Sequence, residues 1–166
     1  LNVKIPVNDF DERIERISGE MMAKHKVHFA DIKSTRDLLK RYENKVFKLW
    51  DETYDRIYGT VPFTDKVKKA MVEQFKLVID SRFIALIVDE NDELVALGLC
   101  FPSLSKAVQK SGGRLTLGCL IRMLRAIRKP KTVDMAIIGV ANKYKNTGIA
   151  LALVAEFCKR AKLFGV

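Results

Sequence analysis

Val133-Asp134-Met135-Ala136-Ile137-Ile138-Gly139-Val140, then Ala141-Asn142-Lys143-Tyr144-Lys145-Asn146-Thr147-Gly148-Ile149-Ala150, is the stretch on which the fold turns. Only Asp134 breaks the apolar run over residues 132–140, which has the length of a buried central strand. After a short polar link, Leu151, Leu153, Val154, Phe157, Cys158 and Ala161 recur at helical spacing. They predict a helix that begins near Asn146 or Thr147, runs to about Phe164 and is stopped by Gly165. A buried strand, a turn and a helix with Gly148 in its first turn make an anion site on physical grounds. The first amides of a helix have no partners inside it, point outward together and carry about half a positive charge from the helix dipole. Gly148 lets a ligand approach the backbone, and Ala150 keeps the wall of the site low. The spacing lacks the Gly-Lys-Ser/Thr of a Walker loop and the three glycines of a dinucleotide fold, which counts against nucleotide hydrolysis and hydride transfer.

Working upstream, residues 82–89 and 94–101 are rich in β-formers and flank Glu90-Asn91-Asp92-Glu93, which predicts a hairpin. Before them, residues 34–58 carry Leu38, Leu39, Tyr42, Val46, Leu49, Trp50, Thr53 and Ile57 at three- and four-residue intervals, and Gly59 ends this helix. A second helix follows from a Thr64 cap to about Ile79 through Val67, Met71, Phe75 and Val78. Residues 26–32 alternate as a strand, with His25 and His28 at its surface or edge. Residues 9–24 form a lead-in helix opened by Asn8 or Asp9, with Phe10, Ile14, Ile17 and Met21 on one side. Residues 102–131 interrupt the pattern with a helical piece around 104–110, the flexible Ser111-Gly112-Gly113, and a helix over 116–129. That last helix gathers Leu117, Leu120, Ile121, Leu124 and Ile127 on one face, expected to pack against the sheet, with Arg122, Arg125 and Lys129 turned away. Basic amphipathic helices also lie on membranes.

Lys145-Asn146-Thr147-Gly148-Ile149-Ala150 resembles the pyrophosphate loop of the GNAT superfamily of acyl-CoA-dependent N-acetyltransferases, written Arg/Gln-x-x-Gly-x-Gly/Ala. It departs from that pattern only where Lys145 stands for Arg or Gln. The preceding residues 137–144 look like the family's fourth strand and its exit, and the order of strand, two helices, two antiparallel strands, strand and helix also matches. The resemblance implies an α+β domain over 26–166, with a mixed, largely antiparallel central sheet flanked by helices. Residues 1–25 would be a lead-in segment or the end of a preceding domain, and 102–131 a helical insertion that walls the acceptor site. The fifth strand, a further helix and a closing hairpin that the family pattern calls for would make this a partial chain, with any acid for the departing thiolate outside it.

By the same resemblance, backbone groups of Ile138 and Val140 would hold the pantetheine arm of acetyl-CoA. The amides of Lys145, Asn146, Thr147, Gly148, Ile149 and Ala150 would hold its pyrophosphate. The implied reaction is direct attack of a primary amine, on a small molecule or a peptide, on the thioester carbonyl. Asp134 occupies the place, eleven residues before Lys145, where some histone-acetylating members have a glutamate base; burial on the strand would suit it to that task. Its alternative is a strand-end carboxylate paired with Lys131 or Arg114. Asp51, Glu52 and Tyr54 are weaker candidates. An aminoacyl transferase of the Fem type and a non-catalytic acyl-CoA sensor share the fold, and a homodimer is compatible with it.

Composition narrows the remaining classes. The 166 residues are 48% hydrophobic and 30% charged, enough for one ordinary core, and no apolar run reaches the length of a membrane span. Cys100, Cys119 and Cys158 are odd in number and lie in apolar surroundings without metal-ligand spacing, which fits buried thiols in a reducing cytoplasm and no metal site. Residues 1–93 hold 17 Lys/Arg against 18 Asp/Glu, whereas residues 94–166 hold 13 against 2. The second half therefore attracts a polyanion, whether a phosphorylated cofactor, nucleic acid or an anionic membrane, and it also favours an acidic or phosphorylated acceptor. Nucleic acid is disfavoured because no reader motif and no interleaved exposed aromatics accompany the basic helix.

Overall fold

The computed structural model describes residues 11–54, 64–75 and 81–163. Within them the chain is α+β, with six α-helices and a four-stranded antiparallel open sheet in the order β1-β2-β3-β4. The elements are α1 (Glu12–Lys24), β1 (Val27–Phe29), α2 (Thr35–Tyr54), α3 (Asp65–Phe75), β2 (Ile84–Asp89), β3 (Leu94–Pro102), α4 (Ser105–Gln109), α5 (Leu117–Arg128), β4 (Val133–Val140) and α6 (Ile149–Leu163).

Apolar alternation on β2 and β3 feeds two cores, one on each face of the sheet. Ala85, Ile87, Val95 and Cys100 meet Ile149, Ala152, Leu153 and Phe157 of α6, with Met22 of α1 joining them. On the other face Ile84, Leu86, Val88 and Leu97 meet Leu38, Tyr42 and Leu49 of α2. Helix α6 lies so close to the sheet that a Cβ on Gly98 would sit 2.5 Å from Cε2 of Phe157. An apolar cavity of about 150 Å³ remains between α2, α3 and the sheet, lined by Trp50, Met71, Leu99 and Ile137 among others.

Caps account for several boundaries. The lead-in helix starts after Asp11, whose carboxylate accepts from the Arg13 amide at 2.9 Å, and not after Asn8 or Asp9, which lie outside the described residues. Thr64 opens α3 as expected, its Oγ1 accepting from the Val67 amide at 3.4 Å, and Thr116 opens α5, its Oγ1 accepting from the Cys119 amide at 3.2 Å. In the hairpin, the Asp89 carboxylate accepts from the amides of Asn91 and Glu93 at 2.9 and 3.0 Å, and Asp92 takes a φ of 60°. The stretches expected to end the two upstream helices, around Ile57, Tyr58 and Gly59 and around Val78 and Ile79, lie outside the described residues.

Two expectations are corrected. Helix α6 begins at Ile149, two to three residues later than its periodicity suggests, because Asn146 and Gly148 have φ of 62° and 83° and cannot sit inside a right-handed helix. Helix α5 does not lay its apolar face on the sheet. Leu117, Leu120, Ile121, Leu124 and Ile127 are exposed, Leu117 by 75%, and the helix leans on α4, with the Cys119 thiol 3.7 Å from the Ala107 carbonyl oxygen.

Candidate functional site

Strand β4 is not the buried central strand its apolar run suggests: among the described residues it pairs with β3 alone, Asp134, Met135 and Ala136 are exposed and only Gly139 is buried, so its far side is an open edge. The register sets Ala96 opposite Val140 and Gly98 opposite Ile138, and the Ala141 amide donates to the Val95 carbonyl at 2.9 Å. In an antiparallel ladder the hydrogen-bonded pairs alternate, so Gly139 and Ile137 turn their backbone groups toward β3, and Ile138 and Val140 turn theirs to the open edge. Further back, Leu99 faces Ile137 but Cys100 faces Met135, which leaves Ala136 as an extra residue in a β-bulge. Such bulges bend a strand and end regular pairing, and they recur beside functional sites.

At the C-terminal end of β4 the chain makes a 3₁₀ turn over Asn142–Tyr144 and then the loop into α6. The loop is held from both sides. Glu52 of α2 accepts from the Asn142 amide at 2.7 Å, the His25 ring meets the Tyr144 ring edge-on at 6.1 Å between centroids, and Met21 of α1 lies 3.4 Å from where a Gly148 Cβ would be. Inside the loop the Lys145 amide donates to the Asn142 carbonyl, and the Thr147 amide and hydroxyl both donate to the Tyr144 carbonyl. The amides of Asn146, Gly148, Ile149 and Ala150 make no hydrogen bond among the described residues. Lys145, Asn146, Gly148 and Ala150 are exposed while Ile149 is fully buried, so the helix end is anchored in the core and open to solvent. Of the six amides expected to face a ligand, four are unpartnered, and three of these, on Asn146, Gly148 and Ala150, belong to exposed residues; that of Ile149 is buried, and those of Lys145 and Thr147 are used in shaping the turn.

This arrangement suits a diphosphate. The positive φ of Asn146 and Gly148 interrupts the helical hydrogen-bond pattern and leaves neighbouring donors unpartnered, and the helix dipole adds to their potential. The edge groups of Ile138 and Val140 stand next to it and can pair with an extended amide-bearing chain as another strand would.

Asp134 is not part of that cluster. It is exposed opposite Phe101 near the start of β4, six residues before Val140 and thus about 20 Å away along the strand, and has no ion pair with Lys131 or Arg114. The burial on which its suitability as a base depended is absent. Asp51 is paired with Lys68 at 3.3 Å, Glu52 supports the loop at Asn142, and the Tyr54 side chain lies outside what is described. The thiols are as expected for inert groups: Cys100 and Cys119 are buried and Cys158 half-buried, and burial pushes Cys100 up to about 12. No cluster of metal-ligating side chains occurs among the described residues, and no helix there is long and apolar enough to cross a membrane.

One polar cluster had no signal in the sequence. The Tyr42 hydroxyl donates to Asp92 Oδ1 at 2.6 Å, Lys45 reaches the Asp92 carbonyl and carboxylate, and Arg41 stacks over the Tyr42 ring at 4.8 Å. Fifty residues separate the partners, so only the folded chain brings them together. They tie α2 to the β2–β3 turn. A scan against protein-family models and a search of curated proteins found no match to this chain.

Proposed function

We propose that the chain carries the acyl-CoA-binding part of a GNAT-type N-acyltransferase, which moves an acetyl group from acetyl-CoA to a primary amine. What supports this reading is one juxtaposition: three unpartnered amides on the exposed residues Asn146, Gly148 and Ala150 at the start of α6, beside the outward backbone groups of Ile138 and Val140. The first group of donors would hold the pyrophosphate and the second the pantetheine amides, which sets the thioester along β4. In the reaction the amine nitrogen bonds to the carbonyl carbon, the carbon–sulfur bond breaks, the amine gives up a proton and the thiolate leaves as CoA. Preorganised amides are suited to hold the charge that develops on the carbonyl oxygen. Asp134, exposed and distant from the loop, is retained as a candidate base only for an acceptor that approaches from the start of β4.

Replacing Gly148 by Val tests the reading. A β-branched residue at a φ of 83°, with Met21 close by, would displace the loop backbone. Acetyl-CoA binding measured by calorimetry is expected to fall by at least a hundredfold, while far-UV circular dichroism keeps its shape. Unchanged affinity removes the loop assignment. Release of free CoA in the presence of an amine panel then separates an acyltransferase from a GNAT-fold aminoacyl transferase or an acyl-CoA sensor, neither of which turns over acetyl-CoA with such amines.

A further inference from the structure

A basic groove lies at the opposite end of β4. A groove of about 690 Å³ is lined by Lys106 of α4, Lys110 just after it, Arg122 and Arg125 of α5, and Lys129 and Lys131 beyond that helix. Among the described residues no acidic side chain lines it, and the sequence has none from 94 to 133. None of these six cations has an ion-pair partner among the described residues. The Arg122 Nε is buried and without a hydrogen-bond partner. A buried guanidinium donor left unmatched, under a rim of like charges that repel one another, is an arrangement that a bound anion stabilises. Among the described residues no aromatic side chain lines the groove, so they offer no platform on which bases could stack, and its concave form suits a compact ligand better than a strand.

Thr132 lines the groove and immediately precedes β4, whereas the loop at Gly148 follows that strand. Eight residues of strand separate the two by about 26 Å, so one pyrophosphate cannot occupy both. We infer that this groove binds a compact ligand with two or more phosphate groups. On the acyltransferase reading above, on which this last assignment rests, a donor laid along β4 from the α6 end points its acyl group toward the groove, and the phosphorylated ligand is the amine acceptor.

The test uses inorganic tripolyphosphate and acetyl-CoA as separate calorimetric probes, with two variants of the full chain. Arg125→Glu together with Lys129→Glu changes two exposed side chains outside the loop and β4. It is expected to weaken tripolyphosphate at least tenfold and to leave acetyl-CoA within twofold; Gly148→Val is expected to do the reverse. Tripolyphosphate affinity that the double reversal does not change overturns the groove. So does a single-stranded oligonucleotide that binds more tightly than tripolyphosphate and is lost on the double reversal, since that outcome makes the surface a nucleic-acid contact. If tripolyphosphate binds in the groove but acetyl-CoA does not bind the chain, the anion site stands and the acceptor assignment fails.

Discussion

Tyr42 shows how a single side chain can link two elements and register pH. Its hydroxyl is fully buried and donates to Asp92, and burial first and that bond second push its own titration up to about 12. The same bond, helped by Lys45, holds Asp92 below the ordinary carboxylate range. The two shifts act at opposite ends of the pH scale. Asp92 is depressed in the folded state, so its contribution is complete above an unfolded value of about 3.9 and is lost as pH falls through the lower folded one. Tyr42 is raised, so its contribution is complete below about 10 and is lost as pH climbs toward the folded value. Tyr42→Phe is expected to cost about 1 kcal/mol at neutral pH. Its urea midpoint should also fall less than that of the unaltered protein, both from pH 5 to pH 3 and from pH 9.5 to pH 11.5. Parallel midpoint curves for the two proteins would show that the pair does not titrate as described.

Helix α5 separates pattern from packing. Its apolar stripe is as regular as that of any core helix, yet the stripe faces outward and the small Cys119 side of the helix meets α4. Periodicity identifies the helix but carries no information about which neighbour is within reach. Replacing Leu120 and Leu124, both exposed, by Gln should therefore leave the melting temperature within about 2 °C, because exposed substitutions change stability by about 0.5 kcal/mol or less. A drop of 8 °C or more would mean that the stripe is packed within the chain. The loop into α6 makes the complementary point. Its Gly148 was legible as a site of close approach, but the left-handed Asn146 was not, and together they decide which amides are free.

The three layers, α2 and α3, the sheet, then α6 with α1, hold the site by closeness of approach more than by polar bonds. Gly98 sits where α6 crosses β3, with Phe157 and Leu153 filling the place of its missing side chain. Gly98→Ala would force the Phe157 ring to move within a buried cluster, at a cost of about 1–3 kcal/mol, and lower the melting temperature by roughly 3–10 °C. Because α6 starts immediately after Gly148, the acyltransferase proposal also expects acetyl-CoA affinity to weaken alongside stability. A variant that melts normally would show that α6 has slack against the sheet.

The residues alone determined the order of elements, the hairpin at 90–93, the presence of a strand before a Gly-bearing turn and the acid-free stretch over 94–133, since each depends on neighbours within a few positions. Register, the bulge at Ala136, the outward turn of Ile138 and Val140, the Tyr42–Asp92 bond and the basic groove between α4 and α5 arose only on folding. So did the exposure of Asp134, whose candidacy as a base rested on burial that the sheet does not provide. Each of these is a relation between segments far apart in the chain. Such relations are settled by which apolar faces can be buried together, a choice that local spacing leaves open.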